Sequence, residues 1–199
     1  MKPEALSQGR GIFLTQNIEE ITNGNKYVVQ RYIKDPFLLD GLKFDLRIYV
    51  LLAGIEPLRL YIFEEGLTRL ATKKYQEPTE ENMHSSYIHL TNYSLNKHNP
   101  NFIYNTSADR VDIGHKRTLK STYNHLAKKG YNVEKLKLEI NDLIIKTVIA
   151  GFPAMSHQYQ ACQPEDYESN MCFHILGIDI MLTSDLTPYL IEINHTPSF

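Results

Sequence analysis

The sequence predicts an α/β chain of the α+β kind, a mostly antiparallel sheet packed with helices. Three observations carry that expectation. Residues 172–199 hold two apolar, β-branched runs on either side of a polar break at Ser184-Asp185-Leu186-Thr187, the pattern of an antiparallel hairpin. Upstream, the apolar runs 43–52 and 58–63 are separated only by Gly54-Ile55-Glu56-Pro57, so the second pairs back on the first. Between these regions lie two helix-length segments. In the second, Val133, Leu136, Ile140, Leu143, Ile144, Thr147 and Val148 recur at three- and four-residue spacing, giving one apolar face to lie on the sheet.

Composition narrows the class. With 199 residues, 42% hydrophobic and 22% charged, the chain can bury a sizeable core, so one globular domain or a large piece of one is expected. The net charge of −2 and the absence of a long basic stripe argue against a nucleic-acid-binding surface. Cys162 and Cys172 are the two cysteines, without a paired framework, which fits a reducing compartment. No apolar run approaches the roughly 18 residues of a membrane span, and the first ten residues have no signal-peptide core. A soluble cytoplasmic protein with no membrane partner is the expectation.

In chain order, Lys2-Pro3 and Ser7-Gln8-Gly9-Arg10-Gly11 lead into a short strand, Ile12 to Thr15. Glycine-freed amides with a lysine nearby can cradle phosphate; an ordinary turn reads equally well. There is no P-loop sequence. Asn17 to Ile21 caps and begins a short helix ended by Asn23-Gly24-Asn25, and Tyr27 to Ile33 is a strand by composition. Lys43 to Leu52 is a long strand in which Lys43, Asp45 and Arg47 alternate with Phe44, Leu46 and Ile48, so three charges share one face. That face is either functional or a solvated surface with cross-strand ion pairs. Gly66 to Thr72 adds a further strand carrying Arg69. Lys73 to Tyr87 is loop-like, and Ile88 to His98, one strand long, is dense in hydroxyls, amides and imidazoles that suit either a ligand or a turn network. Asn99 to Gly114 is expected to be a mobile loop, Lys116 to Lys128 a helix closed by Gly130, and Val133 to about Ser156 a second helix.

The final hairpin holds the most informative side chains. Asp179 interrupts the first apolar run, while Glu192 and Asn194 lie two apart in the second and share a face. A carboxylate in a buried strand is costly unless paired or bound to a cation. Two carboxylates and an amide across one hairpin suit Mg²⁺, which takes oxygen ligands and completes its shell with water and nucleotide phosphates. A solvated hairpin face with ordinary charges is the alternative.

Taken together, Lys2-Pro3 with Gln8 to Ile12, Gln30 to Ile33, Asp40 to Arg47, His89 to Ser94 and Glu192 to Phe199 closely resemble the tubulin–tyrosine ligase-like family in its polyglutamylase branch, in the family's order and over essentially the whole chain. The resemblance implies an ATP-grasp fold, with a nucleotide between two sheet-containing lobes, and ATP- and Mg²⁺-dependent ligation of glutamate to glutamate side chains in tubulin tails. It implies that Lys2, Gln8, Gly9, Gln30, Arg31, Tyr32, Ile33, Lys43, Asp45, Thr91 and Asn92 contact ATP. Asp179, Glu192 and Asn194 match the magnesium ligands. Arg69, Tyr93, Ser94 and Lys116 match positions around free glutamate, and Gln8 and His195 face the acceptor peptide. Arg47 is assigned to the γ-phosphate.

Under that resemblance the acceptor carboxylate is phosphorylated to an acyl phosphate, and the amine of free L-glutamate then displaces phosphate. Fixed cations and Mg²⁺ offset the charge that moves. Arg69 is expected to grip the incoming side-chain carboxylate in bidentate fashion, excluding glycine or tyrosine, and His195 to orient the acceptor or relay a proton. The partners implied are tubulin tails and microtubules, with the enzyme monomeric on the cytoskeleton, at a cilium or basal body. The family pattern extends past both ends of the sequence, so residues 1–199 are expected to be a partial catalytic domain. The alternatives are an inactive tubulin-binding fragment, a glycine ligase, or a glutamylase of a non-tubulin protein.

Overall fold

The computed structural model describes residues 1–4, 8–17, 19, 26–105 and 112–199. Elements follow in the order β1 (Lys2–Pro3), β2 (Tyr27–Val28), β3 (Leu38–Leu39), β4 (Leu42–Ile55), β5 (Leu58–Lys74), α1 (Ser86–His89), α2 (Tyr93–Asn96), β6 (Lys116–Thr118), α3 (Leu119–Lys128), α4 (Val133–Cys162), β7 (His174–Leu182) and β8 (Pro188–Asn194). β1 and β2 pair antiparallel by themselves. The main sheet has the order β6-β5-β4-β7-β8, with β3 also on β4, and the pairings of β3 with β4, β4 with β7 and β7 with β8 are antiparallel.

The chain divides into two compact units. One comprises residues 1–45, 68–117 and 183–185, and the other residues 46–67, 118–182 and 186–199. In the first unit Phe37, Leu39, Phe44, Leu70, Ala71 and Ile88 are buried. The second is centred on Leu46, Ile48, Val50 and Leu52 of β4 with Ile178, Ile180 and Leu182 of β7, whose registers interleave at Leu46↔Ile180 and Ile48↔Ile178. Against them α4 buries Leu136, Ile140, Ile144 and Val148, at the spacing that one helix face demands. Each such side chain contributes about 1.5–3 kcal/mol.

The helices begin where the caps direct. Asn132 Oδ1 accepts from the Lys135 amide at 3.0 Å and Thr118 Oγ1 from the Ser121 amide at 3.1 Å, satisfying N–H groups that have no intrahelical partner. Gly130 adopts φ +84°, the left-handed conformation that closes α3. α4 runs on to Cys162 with Pro153 inside it, past the end expected near Ser156.

Other expectations need correction. Residues 12–15 form no strand; instead Phe13 exchanges backbone bonds with Met1, 3.1 Å from the Met1 amine to the Phe13 carbonyl and 3.3 Å in return. Of 27–33 only Tyr27–Val28 is strand, because β-branched composition without a buried face does not hold a ladder; Val28 and Val29 are exposed. The runs 58–63 and 66–72 are one strand, β5. Its Gly66 is not a break but a close approach: a Cβ there would lie 2.4 Å from the Arg47 carbonyl. Residues 88–98 form helical turns at α1 and α2 rather than a strand, and a three-residue strand, β6, precedes α3. Of the predicted helix from Asn17 to Ile21 only Asn17 and Glu19 are described, and the centre of the 99–114 loop falls outside the described residues. No described helix is long and apolar enough to cross a membrane.

Candidate functional site

The alternating charges of β4 are not on a solvated face. Lys43, Asp45 and Arg47 are 3%, 4% and 6% exposed, and a buried charge must find a partner. Each has a different one.

In the first unit, the Lys43 ammonium donates to the Tyr32 hydroxyl at 3.0 Å and to the His89 carbonyl at 2.9 Å, and also lies 4.1 Å from the Tyr32 ring centre. Tyr32 and His89 Nδ1 are 2.9 Å apart, and His89 Nε2 is 3.2 Å from the Asn82 carbonyl. One assignment of protons serves all of these contacts: ammonium to phenol oxygen, phenol O–H to Nδ1, and Nε2–H to Asn82. Burial, with the charge of Lys43 second, lowers the His89 pKa, the direction that favours the neutral ring this chain of bonds uses. Burial likewise raises the Tyr32 pKa. It lowers Lys43 to about 7, with Asp45 pulling the other way.

Asp45 is held by Arg69 through both guanidinium Nε and Nη2, a buried bidentate pair from β4 to β5. Asp45, expected at the nucleotide, and Arg69, expected at the incoming carboxylate, are thus partners of each other.

The glycine-flanked loop rests on α2. Gln8 adopts φ +64° and Gly9 φ +78°, and Ser94 Oγ donates to the Gln8 carbonyl at 2.7 Å. A Cβ on Gly9 would meet Leu95 Cδ1 at 2.8 Å and Asn92 Oδ1 at 2.9 Å, so only glycine permits this seating. Lys2 sits on β1 in register with Val28. Gln30 and Arg31 are exposed, Ile33 is half-buried and Thr91 is buried. α2 is fixed by Asn96, whose amide oxygen accepts from the Thr72 amide and hydroxyl at 2.9 Å each. Its amide nitrogen donates to the Leu90 carbonyl at 2.9 Å. Tyr93 and Lys116 meet as a cation over a ring, 5.4 Å from ammonium to centroid.

In the second unit, Arg47 donates from Nε and Nη2 to the two oxygens of Asp179, the latter at 3.0 Å. Arg47, expected at the γ-phosphate, is thus paired across the β4–β7 ladder, where the two residues are register partners. Gly177 makes room for that arginine, since a Cβ there would lie 3.1 Å from Arg47 Cδ. Asp179 is also opposite Glu192 on β8. The Asn194 amide nitrogen lies 3.4 Å from Asp179 Oδ2 and 3.4 Å from Glu192 Oε1, so the three side chains converge on one spot. His195, just past β8, is exposed.

The donor set fits a hard divalent cation. Among the described residues no group of three His, Cys, Asp or Glu side chains comes together, so the oxygens available are those of two carboxylates and one amide. That set suits Mg²⁺ with water and phosphate completing the shell. Each carboxylate oxygen has two acceptor positions, so the bond from Arg47 leaves Asp179 able to ligate. A half-turn of the Asn194 amide exchanges its nitrogen for its oxygen at the same spot.

Sequence reasoning gave no role to His89, Asn82 or Asn96, and offered cross-strand ion pairs on β4 only as one alternative, without naming the Asp45–Arg69 and Arg47–Asp179 pairs. The signal was available for the pairs, because opposite charges in neighbouring apolar strands imply mutual partners. None existed for Asn96, whose partners are set by tertiary position.

The fold is mixed α/β with a mostly antiparallel sheet, of the ATP-grasp-like class. The family model described as the Tubulin-tyrosine ligase family matches residues 1–199, and the chain belongs to that family. It is 52% identical over its whole length to a probable beta-tubulin polyglutamylase of Tetrahymena thermophila, of which it covers 17%. It is 46% identical to tubulin polyglutamylase TTLL6 of Homo sapiens, covering 22% of that protein, and 42% identical to tubulin polyglutamylase TTLL7 of Xenopus tropicalis, again covering 22%. The chain thus spans about a fifth of the length of these relatives.

Proposed function

We propose that the protein to which this chain contributes is an ATP- and Mg²⁺-dependent ligase that adds glutamate to side-chain carboxylates of glutamates in tubulin tails. The convergence of Asp179, Glu192 and Asn194 on the β7–β8 hairpin is the observation that carries this reading, and the names of the relatives direct it to tubulin. Asp179, Glu192 and Asn194 would hold Mg²⁺, which would offset phosphate charge during phosphoryl transfer.

The protein's own residues bind, orient and neutralise. Gly9 keeps the loop backbone close to α2, where Lys2, Gln8, Thr91 and Asn92 supply donors for ATP. Lys43 is a buried cation for the phosphates, and Gln30, Arg31, Tyr32 and Ile33 border the adenine. A carboxylate oxygen of the acceptor attacks the γ-phosphorus and ADP leaves. The glutamate amine then attacks the acyl carbon, phosphate departs, and the amine proton is lost to solvent or to His195. Tyr93, Ser94 and Lys116 hold the free glutamate, and Gln8 with His195 orients the acceptor. The protein works as a monomer on microtubules of the cytoskeleton, cilium or basal body.

A glycine ligase of the same family is a second reading, favoured by the commitment of Arg69 to Asp45. Incubating the full-length protein with microtubules, ATP, Mg²⁺ and labelled glutamate or glycine separates the two. Glutamate is expected to be incorporated, and Glu192→Gln is expected to raise the Mg²⁺ concentration needed for half-maximal rate. Incorporation of glycine alone, or an E192Q variant with unchanged Mg²⁺ dependence, would overturn the proposal.

A further inference from the structure

In the second unit β4, β7 and β8 present the acid cluster as a grid. Arg47, Asp179 and Glu192 form one row of register partners, and Tyr49, Gly177 and Asn194 form the next. Residues two apart on a strand face the same way, so both rows lie on one side of the sheet. The middle position of the second row has no side chain, and Pro197 fills it: a Cβ on Gly177 would lie 2.6 Å from the Pro197 Cβ and 3.1 Å from Arg47 Cδ. After Asn194 the chain therefore turns back over the sheet toward β4, on the side of the acids.

β7 and β4 both pin that return segment. On β7, His174 Nε2 lies 2.5 Å from the His195 carbonyl. On β4, the Tyr49 hydroxyl donates to the Ser198 carbonyl at 2.8 Å, and the Tyr49 ring stacks on Phe199 with centroids 5.1 Å apart and planes at 26°. Tyr49 is 8% exposed and Phe199 78%, so a ring fixed in the sheet holds one that is largely in solvent. Asn194 is the last residue of β8. The ladder fixes it from the amino side, and what the chain does next decides whether it stays fixed or frays. Groups that orient a ligand from behind tune the affinity of a metal site, and a ligand already in place loses less freedom on binding.

We propose that Tyr49 is a positioning residue for the divalent-cation site: by holding Ser198 and Phe199 it keeps residues 195–199 strapped over Gly177 and so fixes Asn194 beside Asp179 and Glu192. This rests on the cation site of the ligase reading above. The test is a titration of full-length protein with Mn²⁺, a paramagnetic substitute for Mg²⁺, in which electron paramagnetic resonance reads the bound ion without turnover. Tyr49→Phe keeps the stack and deletes the donor, and is expected to weaken Mn²⁺ binding by about 2- to 10-fold, the worth of one neutral hydrogen bond. Tyr49→Leu, which deletes the stack as well, should weaken it further. Phe199→Ala should also weaken Mn²⁺ binding while leaving the thermal midpoint near that of wild type, because the ring it removes is largely in solvent. Ile144→Val, in the core of the same unit, should lower the midpoint and leave Mn²⁺ affinity unchanged. Wild-type Mn²⁺ affinity in Y49F and F199A, with E192Q weakened, overturns the role of Tyr49 alone, and so does a loss in I144V as large as that in Y49F. Equal Mn²⁺ affinity in wild type and E192Q overturns the cation site and this inference with it.

Discussion

Replacing Lys43 by methionine tests the account of the buried network directly, because it removes one proton-binding group and little volume. Burial lowers the Lys43 pKa from 10.5 to about 7, and at 1.36 kcal/mol per pH unit that separation corresponds to up to about 5 kcal/mol. The sign follows from proton counting. Below pH 7 the lysine is charged in both folded and unfolded chains and its burial penalty is complete. Between about 7 and 10.5 the folded protein has released the proton while the unfolded chain keeps it, so stability rises with pH across that window. Tyr32, whose pKa is raised by burial, acts in the opposite direction only above its ordinary value near 10. Urea denaturation from pH 6.5 to 9.5 is therefore expected to give a wild-type unfolding free energy that climbs by a few kcal/mol, with a slope of up to about 1.4 kcal/mol per pH unit. In K43M that climb should be absent. The variant should also lose about 1–3 kcal/mol at high pH, because Tyr32 and the His89 carbonyl are left without their donor. Parallel pH profiles for the two proteins would refute the assignment of a buried, easily deprotonated lysine.

Two further outcomes follow from the site. Arg47→Met strands the buried Asp179 carboxylate and is expected to cost about 3–5 kcal/mol in chemical denaturation, while R47M combined with Asp179→Leu should recover much of that; equal losses in the single and double variants would contradict a coupled pair. Gly9→Ala forces a Cβ into Asn92 and Leu95 at a left-handed position, so ATP affinity measured by calorimetry should fall while thermal stability changes by about 1–3 kcal/mol or less.

The strands that the sequence announced most clearly are those with a buried apolar phase. β4 and β7 fall where alternation or an apolar run predicted them, because burial on the sheet imposes the period, and β8, with no fully buried residue, follows as the partner of β7. Tyr27 to Ile33 has the right composition but only two residues in strand, since propensity without a partner is a weak constraint. The density of polar groups at Ile88 to His98 pointed to a site or a turn network but not to helical turns, which are held by Asn96 and Thr72 across 24 residues of sequence. At the site, the spacing of Glu192 and Asn194 was enough to place them on one face. That Asp45 and Arg69, or Arg47 and Asp179, would neutralise each other depended on strand order and register, and neither is written in a single strand.

The register of β7 on β8 shifts between Asp179 and Ile180: Ile180 faces Leu190 and Asp179 faces Glu192, so Ile191 is an extra residue in β8. In a regular ladder Leu190 and Glu192 would look the same way, and a greasy side chain and an acid would compete for one environment. The bulge resets the parity of the strand midway. One segment thereby serves two masters, setting Leu190 opposite Ile180 and Glu192 opposite Asp179, without an intervening loop whose mobility would blur the positions of Glu192 and Asn194.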